Sequence, residues 1–411
     1  MRRRSSAPAL LLAACVAAAG CERVEKVRDH FRDLTPHEAY LASLSQAGLA
    51  ETALVEDWIA ASLEAVAAAP PVRLPFEEEG FIAPEEAGAM AYRLRIGRGQ
   101  RLTGRVELTS VEGTRVFVDL FRVPERPGDP LRPVLSVDSV PGEFRYEPWR
   151  EGEYILRVQP ELLRGGRYRV SLRLEAQLAF PVEGRGERDI LSVFGSPRDG
   201  GRRRHDGVDI FAPRGTPVLA AAPGTVSRVQ VTNLGGKVVW VRDPVRNASL
   251  YFAHLDSQAV RQGQQIEVGD TIGFVGNTGN ARTTPPHLHF GLYRRGEGPV
   301  DPWPFLRQPR GTLAEMTADL DRLGSWVRIR DEGIRLRTAP GLGSDVVREL
   351  GRDTQLRVFG GSGEWYRVRL ADGAVGYVVA RLTEPAERPA ETRTARAAGI
   401  EPSVGGSGPS N

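Results

Sequence analysis

Cysteine is nearly missing from this chain of 411 residues: there are two, Cys15 and Cys21, both close to its start. The body therefore lacks the thiols for a cysteine-rich structural zinc site or an internal disulfide framework. Histidine is scarce as well, with six residues in all. No His-Glu-x-x-His helix occurs, so a metal site here must use histidine and carboxylate in an arrangement unlike that of thermolysin. Lysine is almost absent beside abundant arginine, a bias of composition rather than a signal of function. The formal net charge of +3 is small for this length and gives no reason to expect nucleic acid as a partner. The apolar run within "MRRRSSAPALLLAACVAAAGC" is too short for a stable transmembrane span.

What is present is a concentration of the scarce residue. Four of the six histidines fall in one segment: His205, His254, His287 and His289. In "TTPPHLHFGL" strict alternation predicts a strand, with His287 and His289 on one face and Leu288 and Phe290 directed into a core. Pro285 and Pro286 suit the irregular entry to that strand. In "HDGVDIFAP" Gly207 and the β-branched run predict a turn leading into a strand, with His205 before the turn and Asp209 on the strand. Asp206, beside Gly207, reads as a turn residue. Imidazoles on separate strands plus a carboxylate match a catalytic zinc site, in which three protein ligands leave a fourth position open. His30 and His37 lie in a helical region and read as ordinary surface residues.

Three stretches carry a resemblance: "RRHDGVDIFAPRGTPVLAAAPGTV", "KVVWVRDPVRNASLYFAHLDS" and "GQQIEVGDTIGFVGNTGNARTTPPHLHF". In order and spacing they resemble the lysostaphin/LytM-type zinc metallopeptidases, a family of peptidoglycan endopeptidases, over about residues 186–307. The resemblance implies one zinc ion per chain, held by His205, Asp209 and His289. It implies catalytic roles for His254 and His287, which would orient the attacking water, accept its proton or stabilise the oxyanion. The implied substrate is the peptide stems of peptidoglycan. Two departures stand out. Pro285 replaces the usual glycine before "PHLHF", and Phe252 stands where tyrosine is frequent, removing a hydroxyl donor; both bear on substrate preference. Some relatives have lost zinc ligands and act as non-catalytic regulators of other wall hydrolases. The presence of all five site residues counts against that alternative here.

The remaining chain reads as a mainly β, multidomain protein. Residues 1–20 read as a lipoprotein-type signal peptide, and "AAGC" across its end makes Cys21 the expected lipidated first residue of an exported chain. Membrane attachment through Cys21, followed by Glu22 rather than aspartate, predicts the periplasmic face of an outer membrane in a host that has one. Residues 21–72 read as a helical spacer, with Thr35, Pro36 and Glu38 as a capping box and Val55, Ile59, Leu63 and Val66 as an apolar stripe. Residues 73–182 alternate with period two between Gly/Pro turns, as in an antiparallel β-sandwich. The peptidase-like segment takes residues 183–310, and a helix-like linker, "GTLAEMTADLDRLG", takes 311–324. Residues 325–384 resemble a bacterial SH3-like barrel, whose Trp365 and Tyr366 are the candidate wall-binding pair if one ring is exposed. The tail, 385–411, has the composition of a disordered segment.

Overall fold

The structure, a computed structural model, describes residues 34–138 and 142–389. The signal segment, Cys21, His30 and the tail from Ala390 lie outside the described residues. Two compact units are present, with the division between Met316 and Thr317.

The first unit opens with α1 (Pro36–Gln46) and α2 (Ala53–Ala67). The Thr35 hydroxyl accepts the Glu38 N–H, and the Glu38 carboxylate accepts the Thr35 N–H, which is the capping box expected of this sequence. The expected stripe on α2 needs correction. Val55, Trp58 and Ser62 are buried, whereas Leu63 is 66% exposed. Trp58 sets the buried face, because its ring hides more apolar area than leucine and its N–H finds an acceptor, the Pro160 carbonyl, at 2.9 Å. His37 needs correction too. It is buried, stacks on Trp58 at 4.6 Å between ring centroids, and bonds the Gln159 side chain at 2.8 Å. Burial, assisted by the charge of Arg157, holds its pKa below the ordinary imidazole value.

Eight strands follow: β1 (Phe76–Ile82), β2 (Met90–Ile96), β3 (Gln100–Thr109), β4 (Val116–Arg122), β5 (Arg132–Val137), β6 (Gly142–Tyr146), β7 (Gly152–Pro160) and β8 (Gly166–Ala176). They pair antiparallel in the orders β1-β8-β3-β6 and β2-β7-β4-β5. Between the two layers lies a core that includes Tyr92, Leu102, Leu156 and Val170. Tyr168, Val170 and Leu172 of β8 face it while Arg169 and Arg173 face solvent, so the period-two pattern has a direct structural counterpart.

The segment that follows is built on a second core. Its strands are β9 (Ile190–Ser192), β10 (Pro197–Arg198), β11 (Arg203–Arg204), β12 (Val208–Phe211), β13 (Pro217–Leu219), β14 (Gly224–Thr232), β15 (Gly236–Asp243), β16 (Ala248–Leu255), β17 (Ser257–Gln258), β18 (Gln265–Ile266), β19 (Thr271–Phe274), β20 (His287–Arg294) and β21 (Gly298–Val300). The main antiparallel sheet runs β18-β14-β15-β16-β20-β12-β9, with β21 beside β20, and β13-β19-β17 form a small sheet. One face of the main sheet buries Val239, Val241, Leu250, Phe252, Leu288 and Phe290. Its other face carries the site. The sandwich is joined to this core by continuous packing of Leu178 and Val182, and by Arg246, which bonds Asp243 and Glu147, each at 2.6 Å. Such a buried cation is tolerable only because both partners are held in place.

The second unit is a small barrel: β22 (Trp326–Ile329), β23 (Ile334–Arg337), β24 (Val346–Leu350), β25 (Gln355–Ser362), β26 (Trp365–Arg369), β27 (Val375–Val379) and β28 (Thr383–Ala386). Three expectations change here. The segment 311–324 is not helical beyond the 3-10 turn Leu320–Arg322. The Thr317 and Ala318 N–H groups both donate to the Gly363 carbonyl, so the barrel satisfies backbone that a helix would have satisfied internally. The tail does not begin at Pro385, because Pro385 and Ala386 extend β28 opposite Val327 and Trp326. Finally, Trp365 and Tyr366 are 6% and 3% exposed, so neither ring is offered to a partner. Trp365 packs with Tyr377 and Val379, and the Tyr366 hydroxyl donates to the Asp319 carbonyl at 3.0 Å.

Candidate metal centre

Strand register decides which histidine meets which group. In the β12–β20 pair Asp209 lies opposite His289, and Phe211 lies opposite His287. Directly opposite residues share a face and sit within side-chain contact. His289 therefore meets a carboxylate, while His287 stacks on Phe211 with centroids 4.9 Å apart. His205 reaches the same point from the turn before β12. Gly207 in that turn is required by space: a Cβ there would lie 2.3 Å from the Phe290 carbonyl oxygen and 2.9 Å from the His289 ring.

The outcome is a tight triangle. His205 Nε2 is 3.0 Å from Asp209 Oδ1 and 3.0 Å from His289 Nδ1, and His289 Nδ1 is 3.1 Å from Asp209 Oδ1. His205 Nδ1 is 2.9 Å from the Val193 carbonyl, which can only accept, so the proton sits on Nδ1 and Nε2 presents a lone pair. Three possible ligand atoms this close can share one cation. The spacing is near the ~3.3 Å edge expected for a tetrahedral ion with bonds of ~2.0 Å to nitrogen and oxygen. These residues form a His/Asp/His group with ligand atoms within 4.8 Å of one another. The donor set fits zinc. Burial alone would raise the Asp209 pKa, but the neighbouring His205 and His289 rings outweigh it and hold the group below the usual carboxylate range. Burial depresses the pKa of His289, and Asp209 opposes that shift.

His254 arrives by a different device. Lys237 pairs with Leu255 and Val239 with Phe252, so β16 carries one more residue than β15 across this interval. The bulge falls at Ala253–His254, and His254 has φ 61°, a left-handed conformation uncommon for a side chain of this size. Regular alternation would have sent His254 into the core with Phe252; the bulge turns it toward the cleft. Its Nδ1–H donates to the Thr278 carbonyl at 2.9 Å, leaving Nε2 free. Burial, with the charge of His287, pushes its pKa down to about 4. His287 is held in the same way, Nδ1–H to the Pro285 carbonyl at 2.9 Å. The acceptor is a backbone carbonyl, so the departure from the expected glycine at position 285 leaves this contact available. The rings of His254 and His287 are 5.0 Å apart.

These groups line an open cleft of about 350 Å³. Sequence reasoning missed four of its side chains. Arg198 donates to Asp209 Oδ2 at 2.6 Å and to the Ser192 hydroxyl at 2.7 Å, fixing the carboxylate. Trp240, Tyr251 and Tyr293 form an aromatic floor, with Tyr251 5.7 Å from His289 between ring centroids. Phe252, whose missing hydroxyl was expected to matter, points into the core instead. Strand parity in "LYFAHL" was the available signal: Tyr251 and Ala253 share one face and Phe252 takes the other. Asp206 borders the cleft but stands outside the ligand triangle.

The family model described as peptidase family M23 matches residues 203–302, which hold every group of this site. This segment is a peptidase family M23 domain. A second family model, the bacterial SH3 domain, matches residues 332–384. The L-Ala–D-Glu endopeptidase of Bacillus subtilis is 40% identical over 140 residues, 31% of this chain and 43% of that protein. The peptidoglycan DD-endopeptidase ShyC of Vibrio cholerae is 37% identical over 94 residues, 23% of this chain and 21% of its own length. The chain thus spans less than half the length of these relatives. Among solved structures, the catalytic domain of lysostaphin from Staphylococcus simulans is 31% identical, with 28% of this chain and 88% of that one covered and a TM-score of 0.26.

Proposed function

We propose that this protein is a zinc-dependent endopeptidase that hydrolyses peptide cross-links of bacterial peptidoglycan, acting in wall remodelling from a lipid anchor at Cys21. The observation that carries the reading is the M23 cleft itself: a His205/Asp209/His289 triangle beside two histidines that both present an unprotonated Nε2. The relatives named as peptidoglycan and L-Ala–D-Glu endopeptidases support the substrate class.

His205, Asp209 and His289 would hold the metal, with Arg198 keeping the carboxylate turned toward it. Bound there, zinc supplies Lewis acidity toward a substrate carbonyl and toward water. The chain supplies proton handling. His254 and His287 are fixed by backbone carbonyls, so each points one acceptor nitrogen at the cleft. Burial, with the charge of His287, holds the His254 pKa low, so its Nε2 is an acceptor near neutral pH. That suits a group that accepts a proton from attacking water and returns it to the leaving amine. The aromatic floor of Trp240, Tyr251 and Tyr293 gives an extended peptide a surface to lie on.

The test is digestion of purified sacculi by the metal-loaded protein, with mass spectrometry of the released fragments and metal analysis of the same sample. New amino termini within the stems, lost on chelation and restored by zinc, are expected. Intact sacculi at full zinc occupancy would favour a regulator of other hydrolases. Anchoring is tested separately: Cys21→Ala should move the protein from the membrane fraction to the soluble one.

A further inference from the structure

The sheet face that carries the metal ligands continues well beyond them, and register sorts its outward side chains into rows. Asp209, His289 and Ala253 make the first row. Gly291, Tyr251, Trp240 and Arg228 make the second. Tyr293, Ser249 and Arg242 make the third, four residues along β20 from His289 and so about 13 Å away at strand rise. Around this third row the surface opens into a depression of about 540 Å³. Trp240 and Tyr293 line both this depression and the cleft, so the two adjoin.

Its charge is one-sided. Arg228, Arg242, Arg294 and Arg295 line it, and no acidic residue does. Arg294 is already engaged, bonded to Glu297 at 2.6 Å and lying over the Trp149 ring. Among the described residues, no carboxylate lies within ion-pair distance of Arg228, Arg242 or Arg295. Three uncompensated guanidinium groups around one concavity repel one another. The arrangement is relieved when an anion enters.

We infer that this depression is a substrate subsite for a carboxylate of an acidic peptide, about four residues from the bond that is cut. The inference rests on the peptidase reading above. Guanidinium groups match a carboxylate with paired N–H donors, and Ser249 and Asn247 add neutral hydrogen-bonding groups at the same place. An extended peptide rises roughly 3.3 Å per residue, so a chain crossing the aromatic floor from the metal ligands reaches the third row in about four residues. The subsite therefore selects for longer acidic stems over short or neutral ones. A phosphodiester polymer would also be attracted by charge, but it has no peptide bond to place in the adjoining cleft.

The experiment is calorimetric titration of the zinc-loaded protein and of Arg228→Gln/Arg242→Gln with two probes: a cross-linked stem-peptide dimer with free carboxylates, and the same dimer with those carboxylates amidated. Cleavage of both is followed in parallel, and a glycerol-phosphate oligomer is titrated as a third ligand. Wild type should bind the acidic dimer roughly tenfold more tightly than the amidated one at low salt, an advantage that shrinks as salt rises. In the double variant the ratio should fall to about one, with thermal unfolding unchanged because both side chains are exposed. Equal binding of the two dimers by wild type, or a preference that survives in the variant, overturns the subsite. Arginine-dependent binding of the glycerol-phosphate oligomer without preference for the acidic dimer overturns it as well. If neither dimer is cut yet the arginine-dependent preference is present, the subsite stands and the hydrolytic reading fails.

Discussion

His287→Ala and His289→Ala remove the same atoms from positions two residues apart, yet the geometry predicts different losses. His289 Nδ1 stands 3.0 Å and 3.1 Å from the other two ligand atoms, inside the donor spacing of a tetrahedral zinc site. His287 Nε2 stands 4.0 Å from Asp209 Oδ1, and its ring stacks on Phe211. Structural zinc sites with four ligands bind with about 10–16 kcal/mol, or roughly 3–4 kcal/mol per ligand. His289→Ala should therefore weaken zinc by two to three decades. His287→Ala should keep zinc within about tenfold and instead lose about 10²–10⁴ in turnover, the usual range for a proton-handling group. Zinc affinity is read by competition with a chromophoric chelator, and turnover on a soluble cross-linked peptide at saturating zinc. Equal zinc loss in the two variants would refute the division between ligand and proton carrier that register imposes.

Gly207→Ala should destabilise the first unit by about 1–3 kcal/mol and weaken metal binding, because the new Cβ meets the Phe290 carbonyl and the His289 ring. Urea unfolding and zinc retention check this, and a variant equal to wild type in both contradicts it. Trp365→Ala should cost about 3–5 kcal/mol in the second unit, seen as an earlier thermal transition in calorimetry of the full chain; unchanged unfolding with weaker wall binding would restore a contact role. For His37 the sign follows from its depressed folded pKa. As pH falls below the ordinary value near 6.5, the unfolded chain takes up the proton first, so the stability present above that pH is lost on acidification. The drop in urea midpoint between pH 7.5 and 5.5 should be smaller in His37→Phe than in wild type, and an equal drop would exclude this group as the cause.

Local pattern carried a large part of the fold. Period-two alternation marked β8 and β20, because successive strand residues must point to opposite faces. The Thr35–Glu38 capping box and the turn at Gly207 are decided by residues within four positions of one another. The same kind of information placed His287 and His289 on one face. It could not say which of them binds a metal, since both choices satisfy the strand equally.

Only the tertiary structure separates the two, through the opposition of Asp209 to His289 and of Phe211 to His287 across two strands nearly eighty residues apart in the chain. Parity misled wherever the backbone or the packing departed from the regular case. A bulge reverses His254. Arg198 joins the site from a short strand with no motif of its own. Trp365 and Tyr366 point to opposite faces and are both buried, because a small barrel closes around each side of β26. The sequence by itself determined which elements form and which residue types gather. Which side chain meets which was decided by strand register and by bulges, and these depend on contacts between segments far apart in sequence that no local pattern encodes.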